Sequence, residues 1–298
     1  MKLDLRTLLF HSVLRRRIAK GGRIETVAEY IRVKQQHPDP YEPPTDKVSS
    51  GIDISTQYVG ATLVYRLTPQ QNPAPRSFVY VHGGSFISEI GSGQWRLVME
   101  LVRRSGSTCL VPIYALAPQA TAVTTVASAC DVIRNAVEEF GAANVSVLGD
   151  SAGGTIAVAA AQNLRDAGDV LPARLILLAP WLDLAMTHPD QATIAPHDLM
   201  MRRDYLLAAA QVYAGDLPLE NPRVSPLFGD FSGLPPMHVF TGSHDVVATD
   251  SRQLVERVRA AGGEITYVEA PGMQHVYPIF RLIPEATKAR KAIAKLLA

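Results

Sequence analysis

The sequence predicts an α/β protein whose mostly parallel sheet is covered by helices on both faces. Three observations carry this. Short apolar runs recur at 77–81, 108–114, 145–148, 175–178, 237–242 and 264–269. Stretches with helical spacing of apolar residues separate them, at 94–104, 126–140 and 250–261. Glycines and prolines punctuate the joins between the two kinds of segment. Strands that alternate with helices need crossover connections, and those place helices over both faces of a parallel sheet.

Composition sets outer limits. The chain has 298 residues, 47% apolar and 19% charged, which is ample material for a core. Its net charge of +1 gives no electrostatic case for nucleic acid or an anionic membrane as a partner. The cluster Arg15-Arg16-Arg17 with Lys20 is local and reads as a solvated helix face. No run approaches the ~18 uncharged apolar residues of a membrane span, so no stable membrane insertion is expected. The first apolar run is broken by Arg6 and His11 and is not a secretory signal. The two cysteines, Cys109 and Cys130, each sit among apolar residues and lack metal-ligand spacing. They predict small core side chains, no disulfide framework and a reducing cytoplasm.

Taken in order, residues 1–36 read as helical, with Leu5, Leu8, Leu9, Val13 and Leu14 on one stripe. Pro38, Pro40, Pro43 and Pro44 then mark a linker. Residues 52–59 and 61–67 read as two strands joined at Gly60. The strand at 77–81 runs into His82-Gly83-Gly84-Ser85-Phe86. Glycines directly after a strand let backbone N–H groups approach a ligand closely. Residues 184–224 break the strand–helix rhythm with Pro189, Pro196, Pro218 and Pro222 around one helix at 203–213, and read as an insertion above the sheet. Pro284 opens the last helix, where its missing N–H costs nothing. The expected division is an N-terminal helical cap segment at 1–45, core at 46–182, a cap insertion at 183–224 and core again at 225–298.

The chemistry centres on Gly149-Asp150-Ser151-Ala152-Gly153-Gly154. A Val- and Leu-rich run precedes it and an Ala-rich helical stretch follows. A strand, a sharp Gly-flanked turn and a helix form the context in which G-x-S-x-G presents a nucleophilic serine. Among the serines of the chain, Ser151 alone has glycine two positions before and two positions after it. The following helix aims free N–H groups at the serine. A serine hydroxyl needs a general base, and that base needs an orienting acid. On this kind of sheet the two follow the serine in the order acid, histidine, each on a loop after a strand. Asp245 and His275 meet that condition. Asp183 and Asp250 compete for the acid. His238, His244, His188 and His197 are weaker candidates for the base, by position or order, and His82 is expected to orient its own loop.

These motifs together resemble the hormone-sensitive-lipase-like family of α/β-hydrolases. The carriers are His82-Gly83-Gly84, Tyr114-Ala115-Leu116-Ala117-Pro118, the serine motif, Ala179-Pro180-Trp181-Leu182-Asp183, Asp245 and Gly272-Met273-Gln274-His275. The resemblance runs from Phe78 to the C-terminus. It implies an eight-stranded α/β-hydrolase sheet with a helical cap, hydrolysis of short- to medium-chain carboxylic esters, no cofactor and no metal. It implies Ser151 as nucleophile, Asp245 as orienting acid, His275 as base, and Gly83, Gly84 and Ala152 as oxyanion donors. By analogy with the fold, Phe86, Asp150, Trp181, Tyr205 and Val276 are expected to line the substrate pocket. Family members often pair through a sheet edge, so a homodimer is the expected assembly. Ser85 departs from the family, which usually has a third glycine there, as do Ala115, Gln119 and Val246-Val247. Amide, lactone or deacetylase chemistry by the same residues stays open. A non-catalytic receptor on this fold would lack the histidine that His275 supplies.

Overall fold

The computed structural model describes residues 49–298, together with Thr7, His11, Ser12, Glu29, Arg32 and residues 43–45. Most of the cap segment expected at 1–45 lies outside the described residues.

Eight strands form one sheet: β1 (Ile52–Val59), β2 (Thr62–Pro69), β3 (Ser77–Val81), β4 (Thr108–Ile113), β5 (Val145–Asp150), β6 (Arg174–Leu178), β7 (Met237–Gly242) and β8 (Ile265–Ala270). Their order across the sheet is β1-β2-β4-β3-β5-β6-β7-β8. β2 runs antiparallel to both its neighbours, and every other pairing is parallel. The β1–β2 hairpin turns at Gly60, whose φ of 58° a side chain would resist.

Seven α-helices are described: α1 (Ser92–Ser105), α2 (Ala122–Phe140), α3 (Ala152–Asp166), α4 (Gln191–Ile194), α5 (Arg203–Ala214), α6 (Ala248–Ala260) and α7 (Pro284–Leu297). The period-2 alternation of the strands divides the core between the two faces. Val79 and Val81 of β3, Val147 of β5, and Leu175 and Leu177 of β6 pack with Val126 and Ile133 of α2, Ile156 and Leu164 of α3, and Leu254 of α6. Phe78 and Tyr80, Leu148, Ile176 and Leu178 point the other way, against Trp95 and Leu101 of α1 and Ile293 and Leu297 of α7. Burying each such side chain fully contributes roughly 2 kcal/mol, and the central strands are buried along almost their whole length.

α1, α2 and α6 start earlier than apolar spacing alone predicts. α2 begins at Ala122 because Thr124 Oγ1 accepts the Thr121 N–H at 3.0 Å, so a polar pair caps the first turn. Between β6 and β7 the structure adds the single-turn α4, which the flanking Pro189 and Pro196 obscure in the sequence.

The topology places the site. β3 lies between β4 and β5, so the chain leaves it through α1 on one face and comes back to its other side through α2 on the opposite face. Such a reversal opens a crevice at the carboxyl ends of the strands. Val81 of β3 pairs with Gly149 of β5, which sets the loop after 81 beside Asp150 and Ser151.

Candidate active site

Ser151 sits at the β5–α3 turn with φ 52° and ψ −121°, a conformation that costs a non-glycine residue energy. Its neighbours hold it there. The Ser151 N–H donates to the Leu178 carbonyl at 2.9 Å. A Cβ on Gly149 would stand 2.5 Å from the Gly153 carbonyl oxygen, and one on Gly153 would stand 2.0 Å from that of Val81. Both glycines are therefore required by close backbone approach, as the motif predicts.

Asp245 follows β7 and His275 follows β8, and their loops are tied together. His244 N–H donates to the Met273 carbonyl at 2.9 Å, and Gly272 N–H to Ser243 Oγ at 2.7 Å. Gly242 allows this, since a Cβ there would lie 2.2 Å from the Met273 carbonyl oxygen. The side chains then form one chain of hydrogen bonds. His275 Nδ1 lies 2.8 Å from Asp245 Oδ2, and its Nε2 lies 2.8 Å from Ser151 Oγ. A carboxylate can only accept, so the Nδ1 proton points to Asp245 and the Nε2 lone pair receives the serine hydroxyl. Burial pulls the His275 pKa down. The charge and hydrogen bond of Asp245, with smaller contributions from Asp198 and Asp150, outweigh it and hold the ring above its ordinary value. The rival acids serve elsewhere. Asp250 accepts the N–H groups of Leu182 and Asp183, and Asp183 accepts those of Ala185 and Thr187.

The loop after β3 corrects one expectation. The Gly83 N–H donates to Asp150 Oδ1 at 2.9 Å, so it is committed inside the protein and unavailable to an oxyanion. Among the described residues, no acceptor takes the N–H groups of Gly84, Ser85 or Ala152. Gly84, Ser85 and Phe86 all have positive φ, at 137°, 52° and 65°, which turns this stretch of backbone sharply away from the strand direction. Spacing could not separate Gly83 from Ser85 as a donor, because both belong to the same tight turn.

Asp150 is a second correction. It is buried, and its carboxylate accepts the Tyr80 hydroxyl at 2.6 Å, the Gly83 N–H, and Gln94 Nε2 at 3.0 Å. It holds the loop from within. Burial raises its pKa against those hydrogen bonds. His82 orients the same loop, as expected. Its Nδ1 donates to the Gly83 carbonyl at 2.8 Å, and its ring stacks on Tyr114 at 4.3 Å. Burial pushes its pKa down to about 4, so the ring is neutral at ordinary pH.

Phe86 and Trp181 come together with their centroids 5.6 Å apart, and Tyr213 stacks on Phe86 at 3.6 Å. All three are buried. Tyr213 was not singled out in the sequence, although it lies eight residues after Tyr205 and hence near the same face of α5. Tyr205 is half-buried and packs against the core cluster on the same face of the sheet. The structure does not bring Val276 to them; it packs with Met273 and Tyr277 in the core cluster on the other face of the sheet. No group of three or more His, Cys, Asp or Glu residues able to hold a metal occurs among the described residues.

A serine, a histidine and an aspartate in hydrogen-bonded sequence at the carboxyl edge of a doubly wound sheet define a serine-hydrolase class of site. The comparisons agree and narrow it. A family model described as alpha/beta hydrolase fold matches residues 78–279. A triacylglycerol lipase of Mycobacterium tuberculosis is 34% identical over 221 residues, which are 74% of this chain and 46% of that protein. The chain thus spans less than half the length of that relative. An acetyl-hydrolase of Streptomyces hygroscopicus is 32% identical over 72% of both chains. The crystal structure of an esterase from the bacterial hormone-sensitive lipase family superposes with a TM-score of 0.84 at 26% identity, covering 100% of this chain and 98% of that one. The chain belongs to the α/β-hydrolase family, in its hormone-sensitive-lipase-like branch.

Proposed function

We propose that this protein is a serine carboxylesterase that hydrolyses small esters of short to medium acyl chains through an acyl-enzyme. The observation that carries the proposal is the relay from Asp245 through His275 to Ser151, with 2.8 Å at each step. His275 takes the Ser151 proton as the oxygen attacks the ester carbonyl, then returns it to the leaving alcohol. Water repeats the sequence and releases the acid. Asp245 keeps the histidine in the competent tautomer and balances its charge. The N–H groups of Gly84, Ser85 and Ala152 face no acceptor among the described residues and suit the developing oxyanion, each good donor lowering the barrier by about 3 kcal/mol. In this proposal residues 183–224 form a cap, and the cluster of Phe86, Trp181 and Tyr213 backs the acyl side of the pocket. The names of the two relatives, an acetyl-hydrolase and a triacylglycerol lipase, frame the range of acyl length to be tested.

No described helix is long and apolar enough to cross a membrane. We place the enzyme in the cytoplasm on the strength of its two free, buried thiols. Pairing of two copies would use the outer edge of β8, where Val268 is exposed.

The test is hydrolysis of p-nitrophenyl esters of increasing chain length by the wild type and by Ser151→Ala. Expected are turnover that peaks at acetyl to hexanoyl esters, its loss in the variant, and fluorophosphonate labelling of Ser151 in the wild type. Absence of both turnover and labelling in folded protein would overturn the assignment. A clear preference for long-chain emulsions would overturn the chain-length part alone.

A further inference from the structure

The excursion between β6 and β7 touches the triad loops at two places that the proposed chemistry does not use. Asp198 Oδ2 accepts the Val246 N–H at 2.8 Å, one residue beyond Asp245. Its other oxygen accepts the N–H groups of Met200 and Met201 at 2.8 and 2.9 Å, which fixes the carboxylate on its own segment. From the opposite side Gln274, buried and adjacent to His275, grips the same stretch. Its Oε1 accepts the Leu199 N–H at 2.7 Å, and its Nε2 donates to the His197 carbonyl at 3.1 Å. Residues 197–201 are therefore bonded to the acid loop through Asp198 and to the histidine loop through Gln274.

We propose that Asp198 is a positioning residue for the hydrolytic reaction, and that residues 197–201 act as a strut that keeps Asp245 and His275 at hydrogen-bonding separation. The role rests on the esterase assignment above. A strut is needed because the pairing of β7 with β8 ends at Gly242 and Ala270, short of both side chains. Beyond that point the direct bonds between the loops run from Ser243 to Ala270, from His244 to Met273 and from Gly272 to Ser243, all before Asp245 and His275 themselves. Asp198 and Gln274 add a tie to a common third segment beside those two residues. A carboxylate that accepts three backbone N–H groups has little freedom, and charged acceptors make the stronger bonds.

The charge of Asp198 adds a second effect. Burial and the nearby Asp245 push the Asp198 pKa up. The groups facing His275 are Asp245 from the β7–α6 loop, Asp198 from the strut and Asp150 from the end of β5. His197 and His244 stack at 5.0 Å beside the same junction, and burial with His197 lowers the His244 pKa. Asp198 thus stands behind Asp245 as a further negative charge favouring the protonated imidazole.

The experiment is steady-state hydrolysis of p-nitrophenyl acetate across pH by wild type, Asp198→Asn and Gln274→Met, with a thermal melt of each. Asp198→Asn keeps the volume, removes the charge and turns one acceptor into a donor. Its kcat is expected to fall by about tenfold or more with KM little changed, since misplacement of catalytic groups is costly. The acid limb of its kcat/KM profile is expected to move to lower pH. Gln274→Met is expected to lower kcat with the acid limb in place. A lower Tm with unchanged kcat and an unmoved acid limb would mean packing alone and would overturn the proposal. If Asp198→Asn does not fold, an unchanged kcat in Gln274→Met overturns it by itself. Wild-type turnover that Ser151→Ala abolishes assigns any such failure to the strut; absent wild-type turnover and labelling overturn the strut and the esterase assignment together.

Discussion

At Gly83 the difference between a hydrogen and a methyl group decides whether the loop after β3 can close on the nucleophile. A Cβ there would stand 2.6 Å from Asp150 Oδ2, 2.7 Å from the Asp150 carbonyl oxygen and 2.9 Å from Ser151 Cβ. Two of these atoms belong to Asp150 at the end of β5 and the third to the turn that follows it, so the loop must yield, carrying the Gly84 and Ser85 N–H groups with it. Gly83→Ala is expected to cut kcat for p-nitrophenyl acetate by about a hundredfold, the scale of a roughly 1 Å misplacement, and to lower Tm, since relieving the overlap costs about 1–3 kcal/mol. A variant with wild-type kcat would show that these N–H groups do not meet the oxyanion. The residue scale is also where sequence reading both worked and failed. That Ser151, Asp245 and His275 would meet was legible, because each follows a strand and the three come in a fixed order. Gly83 and Asp150 were misassigned because a Gly-Gly pair says that backbone comes close to something, not that the something is a buried carboxylate. Asp150 stands beside the nucleophile in sequence yet turns inward.

Among the elements, α1 has a task beyond covering its face of the sheet. Gln94, in its first turn, accepts the Gly91 N–H at 2.7 Å and donates both to Asp150 Oδ2 at 3.0 Å and to the Gly83 carbonyl at 3.2 Å. One side chain thus caps a helix, shares the load of a buried carboxylate and braces the loop after β3. Gln94→Met keeps the length of the side chain and removes all three bonds. It leaves Asp150 with one acceptor oxygen unmatched, a cost of about 1–3 kcal/mol in a buried setting. We expect a measurably lower Tm together with a fall in kcat of about tenfold, read by melting and by ester kinetics on the same preparation. A lower Tm with intact kcat would confine Gln94 to helix capping. The helix itself was legible from its apolar spacing. Its reach was not, since a glutamine near a helix start carries no sign of what lies across a crevice. The same holds for residues 197–201. Proline spacing marked an insertion, but the contacts of Asp198 and Gln274 join stretches 48 and 75 residues apart, measured from Asp198 to Val246 and from Leu199 to Gln274.

For the whole molecule, the buried ionisable groups set how stability varies with pH. Asp250 is fully buried, and burial with the neighbouring charge of Asp183 outweighs its hydrogen bonds and raises its pKa from 3.8 to about 8. Its carboxylate ties the start of α6 to the segment after β6, since it accepts the N–H groups of Leu182 and Asp183. A carboxyl with a raised folded pKa binds its proton more tightly in the folded state. Between the unfolded and folded values the native state holds the extra proton, so stability must fall as pH rises through that window. For Asp250 the window runs from 3.8 to about 8. Asp150, Asp198 and His275 are raised as well and act with the same sign. Glu269, lowered by its hydrogen bond to Arg252, acts with the opposite sign, but its window lies below the ordinary value of 4.5. Asp250→Asn separates the largest of these contributions. The amide oxygen can accept the same two N–H groups, and the side chain carries no charge at any pH. Wild-type Tm is expected to decline from about pH 5 to about pH 9, with a shallower decline in the variant, so that the variant melts higher at the alkaline end. Parallel Tm curves for the two proteins would mean that Asp250 is already ionised in the folded state, with its two backbone N–H bonds outweighing burial.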